Sequence, residues 1–315
     1  MEKNIFIILL LFAFFDLKSQ NISRLVFDKA SKKGIPYVSV WLKNSTIGTY
    51  SNEQGLFNLD LKAAQNGKNS DTLVLSCIGY KDFYYNILLN KKDTIYLDAT
   101  EETLSEVVVK GSKNPQKYTI GHHKAKAKSG MMGLNGYTLV VFVPNTTSSE
   151  KRIVNVIIPF SKVPDVMSTY FTDTKETHKI SYKGEGRFRL KLYHKSTSEM
   201  LPDKEFLISN KIYHVDNYKK NIIINLENEN IFMPKEGIFA GVEWLDTNTT
   251  TKQLKSTKPS LKCTYQIKED LTFCKFNFTT NKNWESYNLA ILEHRKAMNL
   301  PIKTHNLMVG FDLSD

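Results

Sequence analysis

Residues whose type and spacing could support catalysis are few in this 315-residue chain, and most lie in its second half. Glu243 stands beside Trp244, with Asp246 nearby, and a pair of acidic residues next to an aromatic suggests a glycosidase. Such enzymes place two carboxylates about 5 to 9.5 Å apart across the bond that breaks. Residues 243 and 246 of one strand would face opposite sides. A cryptic hydrolase is therefore the remotest of the functions considered.

Histidine motifs and nucleophile motifs point to no other reaction. His122 and His123 are followed by three lysines, but adjacent residues of a strand project to opposite faces, which is poor geometry for one metal. None of the seven histidines begins His-x-x-Glu or His-Glu-x-x-His, and the chain has no Gly-x-Ser-x-Gly elbow. We expect no enzyme activity, no catalytic residue, no metal site and no cofactor.

Binding is the stronger expectation, because aromatic and basic side chains recur on strands of the second half. Trp244 ends the apolar run GIFAGVEW, which predicts a core position, whereas Trp284 follows the polar Asn281 to Asn283. A row of Arg and Lys alternates with Phe and Leu in RFRLKLY, which predicts a strand with one charged face. That row either contacts acidic groups or is simply solvated. The candidate ligand-binding residues are Trp284, Tyr287, Tyr193, Arg187 and Arg189.

The cysteines allow two interpretations. Cys263 and Cys274 flank the turn-like segment KED, and a hairpin centred there would place them opposite each other. They would form either a cross-strand disulfide or two reduced core thiols. Cys77 lies in an apolar strand, which favours a small buried side chain.

The first residues resemble a secretory signal. Lys3 precedes an apolar run from Ile5 to Phe15, and Ser19 offers a small residue for cleavage. The run is shorter than the roughly 20 residues that a bilayer needs, so we expect no transmembrane segment in the mature chain. We expect an exported protein of the periplasm or outer surface of a Gram-negative bacterium. The predicted divisions are a signal peptide (1–19), a β-sandwich (20–110), a basic linker (111–130) and a second sandwich (131–315).

The charge of the chain is concentrated beyond residue 110. Residues 20–110 hold 11 basic and 10 acidic residues, whereas residues 111–315 hold 30 and 20. A basic exported domain either adheres to anionic envelope ligands or simply has a lysine-rich soluble surface. Export argues against a nucleic-acid partner.

Residues 22–109 carry four blocks of strands and turns in order. They are IPYVSV, IGTYSNEQGLFNL, LVLSCIGYKD and LDATEETLSEVVVKG. Gly55 is placed where a turn needs a positive φ. Together the blocks resemble the carboxypeptidase-regulatory-like domain, a small transthyretin- or Ig-like β-sandwich. The resemblance implies a non-catalytic binding or spacer module.

The second half repeats the strand pattern at jelly-roll size. Its segments EGRFRLKLYHKSTSEMLPDKEFL and MPKEGIFAGVEWL are similar to the sandwich behind regulatory-like domains in other exported proteins. The expected fold is therefore all-β, with a second, jelly-roll-like sandwich. Two functions stay open: binding of a glycan or other surface ligand, and docking on an envelope protein partner through a sheet edge.

Overall fold

The computed structural model describes most of the chain from residue 21 onward. The described residues are 21–61, 71–90, 92–100, 116–126, 129–131, 136–161, 166–170, 177–181, 185–207, 209–216, 220–245, 259–280, 283–297, 299 and 302–315. The predicted signal peptide (1–19), residues 111–115 of the predicted linker, and Asp246 lie outside them.

The first domain is a β-sandwich of short strands. They are β1 (Asn21–Asp28), β2 (Ser39–Leu42), β3 (Gly48–Tyr50), β4 (Leu56–Asp60), β5 (Thr72–Ser76), β6 (Phe83–Asn86) and β7 (Thr94–Leu97). One sheet has the order β4-β1-β7 and the other β3-β2-β5-β6. Gly55 adopts a φ of 85° in the turn before β4, as predicted.

The first domain's own core contains two of the three apolar residues of β2. Val40 and Leu42 belong to the domain's own core, together with Phe57 and Leu75. Trp41 lies on the other face of the same strand and is 1% exposed. Because successive side chains of a strand alternate between faces, both faces of β2 are covered.

The second domain contains the remaining strands. They are β8 (Lys117–Gly121), β9 (Ser129–Met131), β10 (Tyr137–Val143), β11 (Lys151–Ser161), β12 (Val166–Tyr170), β13 (Thr177–Ser181), β14 (Glu185–Lys195), β15 (Pro202–Glu205), β16 (Tyr213–Asp216), β17 (Asn221–Asn225), β18 (Phe232–Met233), β19 (Ile238–Leu245), β20 (Ser260–Thr264), β21 (Thr272–Phe276), β22 (Glu285–Ser286), β23 (Asn306–Leu307) and β24 (Gly310–Ser314). A 3-10 turn spans Glu227–Glu229, and two short helices are α1 (Tyr287–Ala290) and α2 (Leu292–Ala297).

Two large sheets of this domain pack face to face. One has the order β15-β14-β19-β10-β21-β22, with β16 also on β14, and the other β23-β20-β11-β24-β8, with β9, β17 and β18 at its margins. Phe160 of the second sheet meets Trp244 and Phe188 of the first at ring distances of 6.1 and 6.0 Å. Trp244 is fully buried, in the predicted core position. The expectation of an all-β fold is confirmed.

The structure differs from the sequence-based prediction in the linker and in one hairpin. Residues 117–121 and 129–130, assigned to the basic linker, belong to strands of the second domain, where β8 pairs with β24 and β9 with β20. The predicted hairpin around KED is also wrong, because β20 and β21 belong to different sheets. Cys263 is opposite Leu307, and Cys274 is opposite Leu139.

The cysteines consequently do not form the cross-strand disulfide that was one of the two predicted outcomes. All three are buried thiols, which agrees with the alternative of reduced core residues. Burial, reinforced by the nearby carboxylate of Glu285, raises the pKa of Cys274 to about 12.

The two domains pack against each other through the outer faces of two sheets. An apolar cluster joins Tyr37, Trp41, Tyr50 and Val74 of the first domain to Leu245 and Phe278 of the second. The rings of Tyr50 and Phe278 lie 5.0 Å apart. A Cβ on Gly48 would fall within the ring of Phe278, so the absence of a side chain at residue 48 permits the close approach.

Candidate functional site: a polar cleft between the domains

A row of polar residues crosses the sheet of the second domain that faces the first. Arg189 of β14 is directly opposite Glu243 of β19, which is opposite Thr138 of β10, which in turn is opposite Lys275 of β21. Residues in register on neighbouring strands share one face, with Cβ atoms about 4.5 to 5.5 Å apart. The strand pairing therefore brings separated charges of the sequence into one line.

Glu243 is the centre of this row. Its Oε2 atom lies 3.4 Å from Nη1 of Arg189 and 3.3 Å from Nζ of Lys191. Its Oε1 atom accepts a hydrogen bond of 3.0 Å from the Tyr50 hydroxyl and one of 3.3 Å from Nδ2 of Asn277. Both carboxylate oxygens are therefore paired, and one of the donors comes from the first domain.

The charges around Glu243 determine its protonation. Burial alone would raise the pKa of this carboxyl, but the cations of Lys191 and Arg189 and the hydrogen bond from Tyr50 outweigh burial and lower its pKa from 4.5 to about 2. The group is thus a carboxylate at neutral pH and cannot serve as a general acid. Burial and the charge of Glu243 raise the pKa of the Tyr50 phenol well above its usual value.

The two cations are held by both domains and by a second acid. Arg189 Nη2 donates to the backbone oxygen of Tyr37 at 2.7 Å, which is a direct contact between the domains. Lys191 Nζ lies 2.9 Å from Oε1 of Glu205. Burial disfavours charge on Lys191, yet the carboxylates of Glu243 and Glu205 raise its pKa above the usual value.

A cavity opens beside this network. We call it the interdomain cleft, and its lining includes Ser39, Ser76, Arg189, Lys191, Glu243 and Lys275. Its volume is about 170 Å³. The serines come from β2 and β5 of the first domain, and the charged side chains come from the second.

Of the predicted ligand-binding aromatics, the buried Tyr193, which is 3% exposed, lines this cleft, whereas Trp284 is absent from the lining and lies beside it. Tyr193 meets Trp284 edge to face at a ring distance of 5.1 Å. Lys275 Nζ lies 4.5 Å from the centre of the Trp284 ring and 5.1 Å from that of Tyr193. Trp284 is half-buried and packs against the second domain's core, so it presents part of its ring rather than a full platform.

The other predicted residues are placed differently. Tyr287 packs against the core of the second domain, and burial raises the pKa of its phenol. It is absent from the cleft lining. Arg187 is exposed and lies 3.9 Å from Glu53 of the first domain, which is a weak surface pair.

The interpretation of the RFRLKLY row as a solvated face is wrong for two of its members. Arg189 is 3% exposed and Lys191 6% exposed, because the first domain covers this face of β14. The alternation correctly indicated one charged face, but it could not indicate that a second domain lies over that face.

Sequence reasoning missed the residues that complete the network. Tyr50 and Asn277 were not singled out, and Glu243 was considered only as a catalytic acid. One signal was available: Glu243 interrupts the apolar strand IFAGVEWL, and a charge there needs a buried partner. The basic residues of RFRLKLY are complementary to it.

His122 and His123 are both part-buried in the second domain. His122 Nε2 lies 3.4 Å from the Phe142 oxygen, and burial lowers the pKa of both imidazoles. Among the described residues, no three His, Cys, Asp or Glu side chains converge as metal ligands would. Over the same residues, no helix is both long and apolar enough to span a bilayer.

Comparison with known proteins identifies the family of the first domain and gives no usable likeness for the second. A clostridial cysteine protease, Cwp84 after propeptide cleavage, aligns over 94% of this chain and 70% of its own, at 11% identity and a TM-score of 0.36, which is too low to carry an argument. No curated protein matches the sequence significantly. Residues 23–109 match the model of the CarboxypepD_reg-like domain family, whose expected sandwich is the one that β1 to β7 build. The first domain of this chain is therefore a CarboxypepD_reg-like domain.

Proposed function

We propose that this chain is an exported, non-catalytic protein of the bacterial envelope that binds a glycan or similar surface ligand at the interdomain cleft. The observation that carries the proposal is a cleft lined by polar side chains together with Tyr193 and Lys275, with Trp284 packed against both of them beside the cleft. Sugar rings pack on aromatic rings, and convergent polar groups fix their orientation.

The state of Glu243 supports binding rather than hydrolysis. Glycoside hydrolysis needs one carboxyl group that is protonated at working pH and can donate to the leaving group. Glu243 is ionised, with its pKa held at about 2, and both its oxygens are occupied by donors of the protein. It acts as a structural anion that holds the two cations in place.

A glycan array tests the proposal. Residues 20–315 are screened beside Trp284→Ala, with Tyr84→Ala as the control, since Tyr84 is a 53% exposed aromatic of the first domain. We expect saturable binding to a defined glycan, lost in Trp284→Ala and kept in Tyr84→Ala. Binding to every acidic glycan that vanishes at raised salt would mean non-specific adhesion and would contradict the proposal.

A second function is favoured by one edge of the first domain. Strand β6 is the last strand of its sheet, and the segment around it exposes Tyr84, Leu88 and Leu89, at 53%, 66% and 82%. An apolar sheet edge is suited to pairing with a strand of another protein. We propose docking on an envelope protein as the alternative, tested by whether Leu89→Lys abolishes co-purification of one defined partner while glycan binding is unchanged.

A further inference from the structure

The buried cations at the interdomain cleft have more hydrogen-bond donors than the described residues satisfy. A lysine ammonium has three N–H donors and an arginine guanidinium has five. Lys191 uses two donors, on Glu205 and Glu243, and Arg189 uses two, on Glu243 and the Tyr37 oxygen. Arg189 Nε is buried and has no partner in the described part of the chain. Buried donors of charged groups are costly to leave unpaired.

The charge of the cleft favours an acceptor with negative charge. The lining contains three cationic side chains, Arg189, Lys191 and Lys275, and two anionic ones, Glu205 and Glu243. The charges of these lining residues therefore sum to one positive charge, and two of the cations, Arg189 and Lys191, are 3% and 6% exposed. An electrostatic field of this kind attracts anions and repels cations.

The size of the cleft limits what enters. A volume of about 170 Å³ corresponds to roughly six water molecules, at about 30 Å³ each. That space accommodates a carboxylate or sulfate group with the atoms attached to it, but not a complete oligosaccharide. A larger ligand would extend past Lys275 toward Tyr193 and Trp284, which adjoin the cleft.

We propose that the interdomain cleft is an oxyanion-binding site, in which Arg189 and Lys191 bind the carboxylate or sulfate group of an acidic sugar and Lys275 adds charge at the aromatic side. Ser39 and Ser76 of the first domain line the same space and supply hydroxyl donors. The site is thus incomplete in either domain alone. The identity of the ligand as a sugar rests on the proposed function, but the binding of an oxyanion does not.

Calorimetric titration of the two-domain protein with three probes tests this inference. The probes are glucuronate, inorganic sulfate and neutral glucose, each at constant ionic strength. We expect saturable binding of glucuronate and sulfate and none of glucose. Binding of glucose as tight as that of glucuronate, or no saturable binding of either anion, would overturn the inference.

Variants locate the site. Lys275→Met keeps the aliphatic stem over the two rings, removes the charge and should weaken anion binding roughly tenfold. Lys303→Met is the matched control, because Lys303 also lies over a tyrosine, 5.6 Å from the Tyr265 ring, but outside the cleft lining. The affinity of Lys303→Met for the anions should equal that of the unmodified protein. Equal effects of the two variants would show that anions bind the general basic surface, which contradicts the inference.

A conservative change at Arg189 separates anion binding from folding. Arg189→Lys keeps the charge beside Glu243 but removes Nε and the planar fork, and we expect at least a tenfold loss of anion affinity. If Arg189→Lys fails to fold, the anion affinity of Lys275→Met alone tests the inference. Sulfate binding at the cleft together with a silent glycan array would keep the oxyanion site and reject the proposed function. Glycan binding without any anion binding would keep the proposed function and reject the oxyanion site.

Discussion

Replacing Glu243 by Gln would leave two buried cations without the carboxylate that they share. Arg189 and Lys191 are 4% and 7% exposed at their side chains, so solvent cannot replace the lost charge. Removing one partner of a buried ion pair costs about 3 to 5 kcal/mol. Glu205 still pairs with Lys191, which places the expected loss at neutral pH near the lower end of that range.

The pKa of Glu243, which the same two cations lower, gives a second magnitude and a pH window. Its pKa is about 2 in the folded protein, compared with an ordinary 4.5, and one unit corresponds to about 1.4 kcal/mol. The depressed pKa therefore contributes about 3 kcal/mol to the free energy of unfolding. Because the folded pKa is the lower one, the contribution is complete above pH 4.5 and disappears as the pH falls toward 2.

Urea unfolding followed by tryptophan fluorescence measures both quantities. Glu243→Gln is compared with the unmodified protein from pH 7 to about pH 2.5, the window in which linkage predicts the change. Glu293→Gln is the control, since Glu293 is 83% exposed in a surface pair with Lys296 and should cost less than about 0.5 kcal/mol. A loss below about 1 kcal/mol for Glu243→Gln at pH 7, or identical acid slopes in the two proteins, would refute the buried ionic network.

The domain interface and the cysteines can be tested separately. Tyr50→Phe removes a buried hydroxyl and should cost about 1 to 3 kcal/mol in urea unfolding, whereas Tyr84→Phe, at an exposed position, should cost nothing measurable. Gly48→Ala should destabilise by about 1 to 3 kcal/mol and speed proteolysis between the domains, because its Cβ meets the Phe278 ring; unchanged proteolysis would argue against this contact. Alkylation of the unfolded, non-reduced protein should modify all three cysteines. Modification of one cysteine alone would show that the other two form a disulfide and would contradict the assignment as free thiols.

The sequence predicted local structure well where a residue's neighbours along the chain determine it. The turn at Gly55 and the strands of the first domain follow from glycine conformation and β-forming residues. The burial of Trp244 follows from its apolar strand. In each case the cause lies within a few residues of the feature.

Prediction failed where the cause is a contact between distant segments. The alternation in RFRLKLY is the same whether the charged face meets water or another domain, so the burial of Arg189 could not be derived from it. The hairpin around KED failed for a related reason. A turn-like segment connects two strands of one sheet or two strands of facing sheets equally well, and here it joins β20 and β21 of different sheets.

A crystal structure of the two-domain protein grown with glucuronate would test the central claim most directly. We predict a carboxylate in the interdomain cleft, with oxygens within hydrogen-bond distance of the Arg189 guanidinium and Lys191 Nζ and with the sugar ring toward Tyr193 and Trp284. Water alone in the cleft, or glucuronate bound at another surface, would contradict it.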